Sequence, residues 1–111
     1  MAVSTRKVGD VTIVDLKGKI TIGVGDVALR SAVQEALQGG AKKILLNMKD
    51  TTTIDSSGVG ELVGSYHAVT SRGAKLRLAQ IPDKVMDLLT ITRLITVFDS
   101  YDTEDEAIKA F

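Results

Sequence analysis

Lys43-Ile-Leu-Leu-Asn-Met48 is a short, nearly continuous apolar run. A polar stretch follows it, Lys49 to Thr53, and then comes Thr53-Ile-Asp-Ser-Ser-Gly-Val-Gly60. A run this short without polar alternation has the pattern of a strand buried on both faces of a parallel sheet. From Val59 the period changes: Val59, Leu62, Val63, Tyr66 and Val69 fall at helical spacing, and Gly73 supplies a stop signal. A buried strand feeding an amphipathic helix predicts a crossover, which frames the rest of the chain.

Working toward the amino terminus, Val8 opens the first patterned region and Gly9-Asp10 reads as a tight hairpin turn. Val11, Ile13, Val14 and Leu16 form a strand. Ile20-Thr-Ile22, after Gly18, is expected as a short third strand, broken by Gly23-Val-Gly25-Asp26. Leu29, Ala32, Val33, Ala36 and Leu37 have helical spacing, ended by Gly39-Gly40. Toward the carboxyl terminus, Leu76-Arg-Leu-Ala79 is a strand. Pro82 starts a helix with Val85, Leu88 and Leu89 inward, and Val97 and Phe98 suggest a last strand. Thr103-Glu-Asp-Glu-Ala-Ile108 opens a final helix with acids where its dipole favours them. The order β-β-β-α-β-α-β-α-β-α predicts an α/β fold. Its single mixed sheet has an N-terminal antiparallel hairpin and about four helices packed on it, as one domain over residues 1–111.

Composition narrows the chemistry. The 111 residues are 44% hydrophobic and 25% charged, enough for one buried core. With no cysteine, thiol catalysis, disulfides and cysteine-ligated zinc are excluded. Lys plus Arg and Asp plus Glu balance at 14 each, so no basic face for nucleic acid or an anionic membrane is expected. With two Tyr, two Phe and no Trp, no base-stacking platform is expected. No stretch approaches the roughly 20 apolar residues of a membrane span, and the first residues lack a signal-peptide run. A cytoplasmic, non-enzymatic protein is expected, with no cofactor and no metal. The lone histidine, His67, falls mid-helix, and no His/Asp/Glu cluster has ligand spacing. Met48 and Met86 are expected in the core, and Asp102, Glu104, Asp105 and Glu106 as a solvated helix start.

The stretch from Thr53 to Gly60 carries the chemistry. With Asp55 at the N-cap, its carboxylate can accept from the amides of Ser57 and Gly58, and Ile54 and Val59 take the positions of a hydrophobic staple. Ser56 becomes the first helical residue, its hydroxyl near unpaired amides. Gly58 and Gly60 are expected to leave that turn open to close approach. Capping alone accounts for an Asp-Ser-Ser sequence. A helix N-terminus is also an anion binder, so a phosphoacceptor is the alternative.

Ile54-Asp-Ser-Ser-Gly-Val-Gly60 closely resembles the signature of the anti-sigma factor antagonists, bacterial members of the STAS domain family. The likeness extends to the first hairpin, Gly18-Lys-Ile20, the Lys43-Ile-Leu-Leu-Asn47 strand, Arg72-Gly73 and the Leu88-Leu89…Leu94 region. It implies that Ser56 is phosphorylated by a partner that is both anti-sigma factor and serine kinase, and that a separate serine phosphatase resets it. It further implies that Asp55, Ser57 and Gly58 support the phosphosite. Thr21, Gly23, Gly25, Asp26, Val59 and Gly60 are the expected partner-binding residues. The sequence departs from the family at one place: many antagonists carry an acid after the Gly-x-Leu step, where Thr21 stands here. The same domain also serves as a scaffold subunit of stress-signalling complexes or as a transport-system accessory. From a different class, Gly23-Val-Gly25-Asp-Val-Ala28 matches a dinucleotide-binding G-x-G-x-x-A, with Asp50 near the ribose-binding place. A tight strand-to-helix turn accounts for those glycines as well.

Overall fold

The computed structural model describes residues 1–111. Strands β1 (Ala2–Val8) and β2 (Val11–Ile20) form the hairpin, and Gly9 turns it with φ +62°. Helix α1 (Gly25–Gln38) leads to β3 (Lys43–Asn47), β4 (Thr51–Ile54) and α2 (Ser56–Ser71). Then come β5 (Lys75–Ala79), α3 (Asp83–Ile91), a 3₁₀ turn (Leu94–Thr96), β6 (Asp99–Tyr101) and α4 (Glu104–Lys109). The strands form one mixed sheet of six in the order β1-β2-β3-β5-β6, with β4 paired to β2 off that path. Only β1–β2 is antiparallel.

Three local expectations need correction. Ile20-Thr-Ile22 is not a separate strand. β2 runs on through Gly18, at φ +102°, to Ile20, and the chain turns directly after it. Conversely, the polar stretch before Ile54 contains β4, with the Thr51 hydroxyl donating to the Leu16 carbonyl at 3.0 Å. β2 is long enough to serve two strands in tandem: Thr12–Asp15 pairs with β3, and beyond a register shift Gly18–Ile20 pairs with β4. Three consecutive β-branched threonines suit that position without offering an apolar pattern. The last strand also sits one step later than Val97–Phe98, because Phe98 is buried in the core just before it.

β2 is buried on both faces. Val14, Leu16 and Ile20 join the main core with Leu29, Leu46, Leu62, Leu78 and Leu89, under α1, α2 and α3. Val11 and Ile13 join Leu45, Ala79 and Ala107 in a smaller cluster under α4. Met48 is fully buried, while Met86 is only partly covered. Glu104 is not a solvated helix residue. Its carboxylate pairs with Arg6 of β1 and accepts from Asn47 Nδ2 at 2.9 Å, and Arg6 also pairs with Asp15 at 2.8 Å. That network fastens the short α4 across the sheet. No helix is long and apolar enough to cross a membrane.

Candidate functional site

β4 ends at Ile54 and α2 begins two residues on, so the Asp55-Ser-Ser turn lies at the carboxyl end of the sheet. Asp55 is the N-cap of α2. It sits in extended backbone at φ −107°, ψ −175°, and Oδ1 accepts from the Gly58 amide at 2.9 Å. Oδ2 reaches across to the β2–α1 loop and accepts from the Ile22 amide at 3.0 Å. One carboxylate therefore ties the start of α2 to the loop beside it. The Gly58 bond, then the Ile22 bond, holds the Asp55 carboxyl below its ordinary value. The Ser57 amide faces the same carboxylate and adds to that pull.

Ser56 is exposed as the first residue of a 16-residue helix, and Ser57 is half-buried. The first turn of α2 holds no acidic residue. Its amides and dipole therefore face only the Asp55 carboxylate, which is already bonded on both oxygens.

The expected partner-binding residues divide. Gly23 and Gly60 are exposed, and Thr21 and Asp26 are partly so. Gly25 and Val59 are buried, as is Gly58, which was expected to support the phosphosite. The open turn expected at Gly58 is filled from within: a Cβ there would lie 2.1 Å from the Ile20 carbonyl oxygen and 2.7 Å from Ile54 Cγ1. At Gly25 a Cβ would lie 2.1 Å from the Lys19 carbonyl oxygen. These glycines let two helices begin against the end of β2. Gly60 has nothing within 4 Å of its would-be Cβ and remains open.

The dinucleotide reading fails at the same loop. Asp26 Oδ1 accepts from the amides of Gly23 at 2.9 Å and Val27 at 2.7 Å, and the Asp26 amide donates to the Thr21 carbonyl at 3.1 Å. The amides that would cradle a pyrophosphate are taken by the Asp26 carboxylate and the Thr21 carbonyl. Asp50 lies in the exposed turn between β3 and β4.

Ile22 and Val24, both largely exposed in this loop, were not singled out from sequence. Treating Ile20–Ile22 as a strand hid the first. The signal for the second was available: an apolar residue between two glycines of a strand break has no core to enter.

Comparison with known proteins places this arrangement. The STAS domain model matches residues 2–107. An anti-sigma-B factor antagonist of Bacillus subtilis is 31% identical over 86 residues, covering 78% of this chain and 77% of that protein. An anti-sigma F factor antagonist of Paenibacillus polymyxa is 29% identical over 99 residues, covering 88% and 84%. The crystal structure of a candidate anti-sigma factor antagonist from Thermotoga maritima superposes with a TM-score of 0.88 at 28% identity, covering 97% and 92%. A family match over nearly the whole chain, on a fold that puts an exposed serine at the capped start of α2, decides the assignment: the chain belongs to the STAS domain family.

Proposed function

We propose that this chain, acting as a single domain over residues 1–111, is an anti-sigma factor antagonist that works by partner switching. Unphosphorylated, the surface around Ser56 binds an anti-sigma factor with serine kinase activity and so releases a sigma factor. The partner, holding ATP, transfers phosphate to the Ser56 hydroxyl and lets go, and a serine phosphatase resets the chain.

The observation that carries this reading is the exposure of Ser56 at an N-terminus whose cap carboxylate is bonded on both oxygens. A phosphoserine adds about −1.5 to −2 charges. At this position the fold tolerates them, because unpaired amides and the positive end of the dipole face them. A partner docked over the same spot must desolvate that charge beside Asp55, at a cost that weakens binding steeply.

The test is phosphopeptide mapping with the kinase that labels the chain. Ser56→Ala abolishes labelling and Ser57→Ala spares most of it. Ser56→Asp binds the partner poorly with a near-native melting point. Labelling that survives Ser56→Ala overturns the assignment.

A further inference from the structure

The loop between β2 and α1 displays apolar side chains that the fold does not use. Ile22 is 73% exposed and Val24 67%, and Val27, in the first turn of α1, is 45% exposed. Three of the five exposed large hydrophobic residues, which also include Val8 and Ile91, fall within residues 22–27. Single exposed apolar residues are ordinary, but a cluster at one place marks a contact surface.

The loop is tied in place. The Ile22 amide is held by Asp55, the Gly23 and Val27 amides by Asp26, and the Asp26 amide by the Thr21 carbonyl. Ile22 and Val24 are thus presented on ordered backbone, which lowers the entropic cost of docking on them. The bond from Ile22 to Asp55 makes the patch continuous with the Ser56 turn.

Charge is the other half of the observation. Residues 20–25 and 56–60 contain no ionisable side chain. Of the acids that flank them, Asp55 spends both oxygens and Asp26 its Oδ1 on backbone amides, and Glu61 pairs with Arg30 at 3.0 Å. A bilayer surface rich in anionic lipid favours apolar residues flanked by clusters of Lys and Arg, whereas the flanks here are Lys19 and three acids, Asp26, Asp55 and Glu61.

Resting on the function proposed above, we infer that the partner covering unphosphorylated Ser56 seats Ile22 and Val24 in an apolar, uncharged socket, and that ion pairs add little to its affinity. Phosphate on Ser56 then places its charge at the edge of a dry, apolar contact, where no basic group waits to receive it.

The experiment uses the full chain and the purified kinase that labels Ser56. Replacing both side chains, Ile22→Ser with Val24→Ser, weakens binding by on the order of tenfold to a hundredfold. Both side chains are exposed, so the melting point stays near that of the unaltered chain. The affinity of the unaltered chain changes less than about threefold between about 0.05 and 0.5 M salt. Equal binding by the double variant, or a steep loss of affinity with salt, overturns the socket while leaving the Ser56 assignment intact. Absence of any binding or Ser56 labelling with the unaltered chain overturns both. Two controls address other occupants: sedimentation with phosphatidylcholine–phosphatidylglycerol vesicles, and sedimentation equilibrium of the chain alone. Vesicle binding or self-association that the double substitution removes would give the patch to a bilayer or a second copy, and would overturn the inference.

Discussion

Helices α1 and α2 begin over the same two residues of β2, and each buries a glycine against that backbone. Gly25 meets the Lys19 carbonyl and Gly58 the Ile20 carbonyl, each leaving only 2.1 Å for a Cβ. Their chemistry then diverges. The N-cap of α1 is Val24, with no side-chain bond, and its first turn already contains Asp26, folded back on the loop amides. The N-cap of α2 is Asp55, its first turn holds no acid, and its first residue is an exposed serine. One packing device thus supports two different ends. In the first, the Asp26 amide goes to the Thr21 carbonyl and the Val27 amide to the Asp26 carboxylate; the second gives its Gly58 amide to Asp55 and presents an exposed serine beside that cap.

The hardest way to break this comparison is to fill the shared device. Gly58→Ala and Gly25→Ala each force a methyl group onto a strand carbonyl that cannot move away without disturbing the β2 pairing. Ala is the better helix former by up to about 1 kcal/mol, but overpacking against backbone costs about 1–3 kcal/mol or more. Both variants should unfold at markedly lower denaturant than the parent, by similar amounts. A near-native midpoint for either would show that the helix start can shift off the strand.

The next test separates the two ends. Asp55→Ala removes a cap and the clamp on the Ile22 amide together, so the melting temperature should fall by roughly 3–10 °C. Amide exchange should quicken at Ile22 as well as Gly58. Asp55→Asn restores the cap at Gly58 but not the clamp, because its amide nitrogen cannot accept from the Ile22 N–H, so it should recover only part of the loss and leave exchange at Ile22 fast. If exchange quickens at Gly58 alone, the loop does not depend on the cap.

Acid sharpens the contrast with the opposite face of the sheet. The bond from the Arg6 guanidinium holds the Glu104 carboxyl below its ordinary value of 4.5, with the Asn47 amide assisting. A carboxyl depressed in the folded state stabilises the fold above its unfolded pKa, and that contribution fades as pH drops through the folded value. Stability should therefore decline below about pH 4.5. Glu104→Gln should cost roughly 0.5–1 kcal/mol at neutral pH and flatten that decline. Denaturant midpoints at a series of pH values test this, and parallel curves for parent and variant would remove Glu104 from the network.

The alternation of strands and helices, the Gly9-Asp10 hairpin and the Asp55 cap were legible because each is a local preference written in adjacent residues. What the sequence concealed depends on distant ones. β4 is a strand because β2 extends past Gly18 to receive it, and Thr51-Thr-Thr53 shows no burial pattern of its own. Glu104 sits in an acidic run that looks solvated, until the fold brings Arg6 to it from the far end of the chain and Asn47 from its middle. Gly58 and Gly60 look alike in sequence. Only the approach of β2 makes one a packing residue and leaves the other free.

That last pair supplies the finest test. Gly60 lies on the exposed side of α2, one turn beyond Ser56, with nothing within 4 Å of a would-be Cβ and no positive φ. Gly60→Ala should therefore do the opposite of Gly58→Ala. It gains helix propensity and removes unfolded-state freedom without a clash, and should raise stability by about 0.5–1 kcal/mol. Because its fold is strengthened, this variant is a clean probe of the surface beside the serine. Slower phosphorylation of Ser56 in Gly60→Ala cannot come from a damaged helix, and would mean that the kinase approaches close enough to feel one methyl group. Unchanged labelling in a more stable protein would instead confine the contact to the Ser56 turn and the loop that carries Ile22 and Val24. A loss of stability would refute the distinction between the two glycines on which the comparison rests.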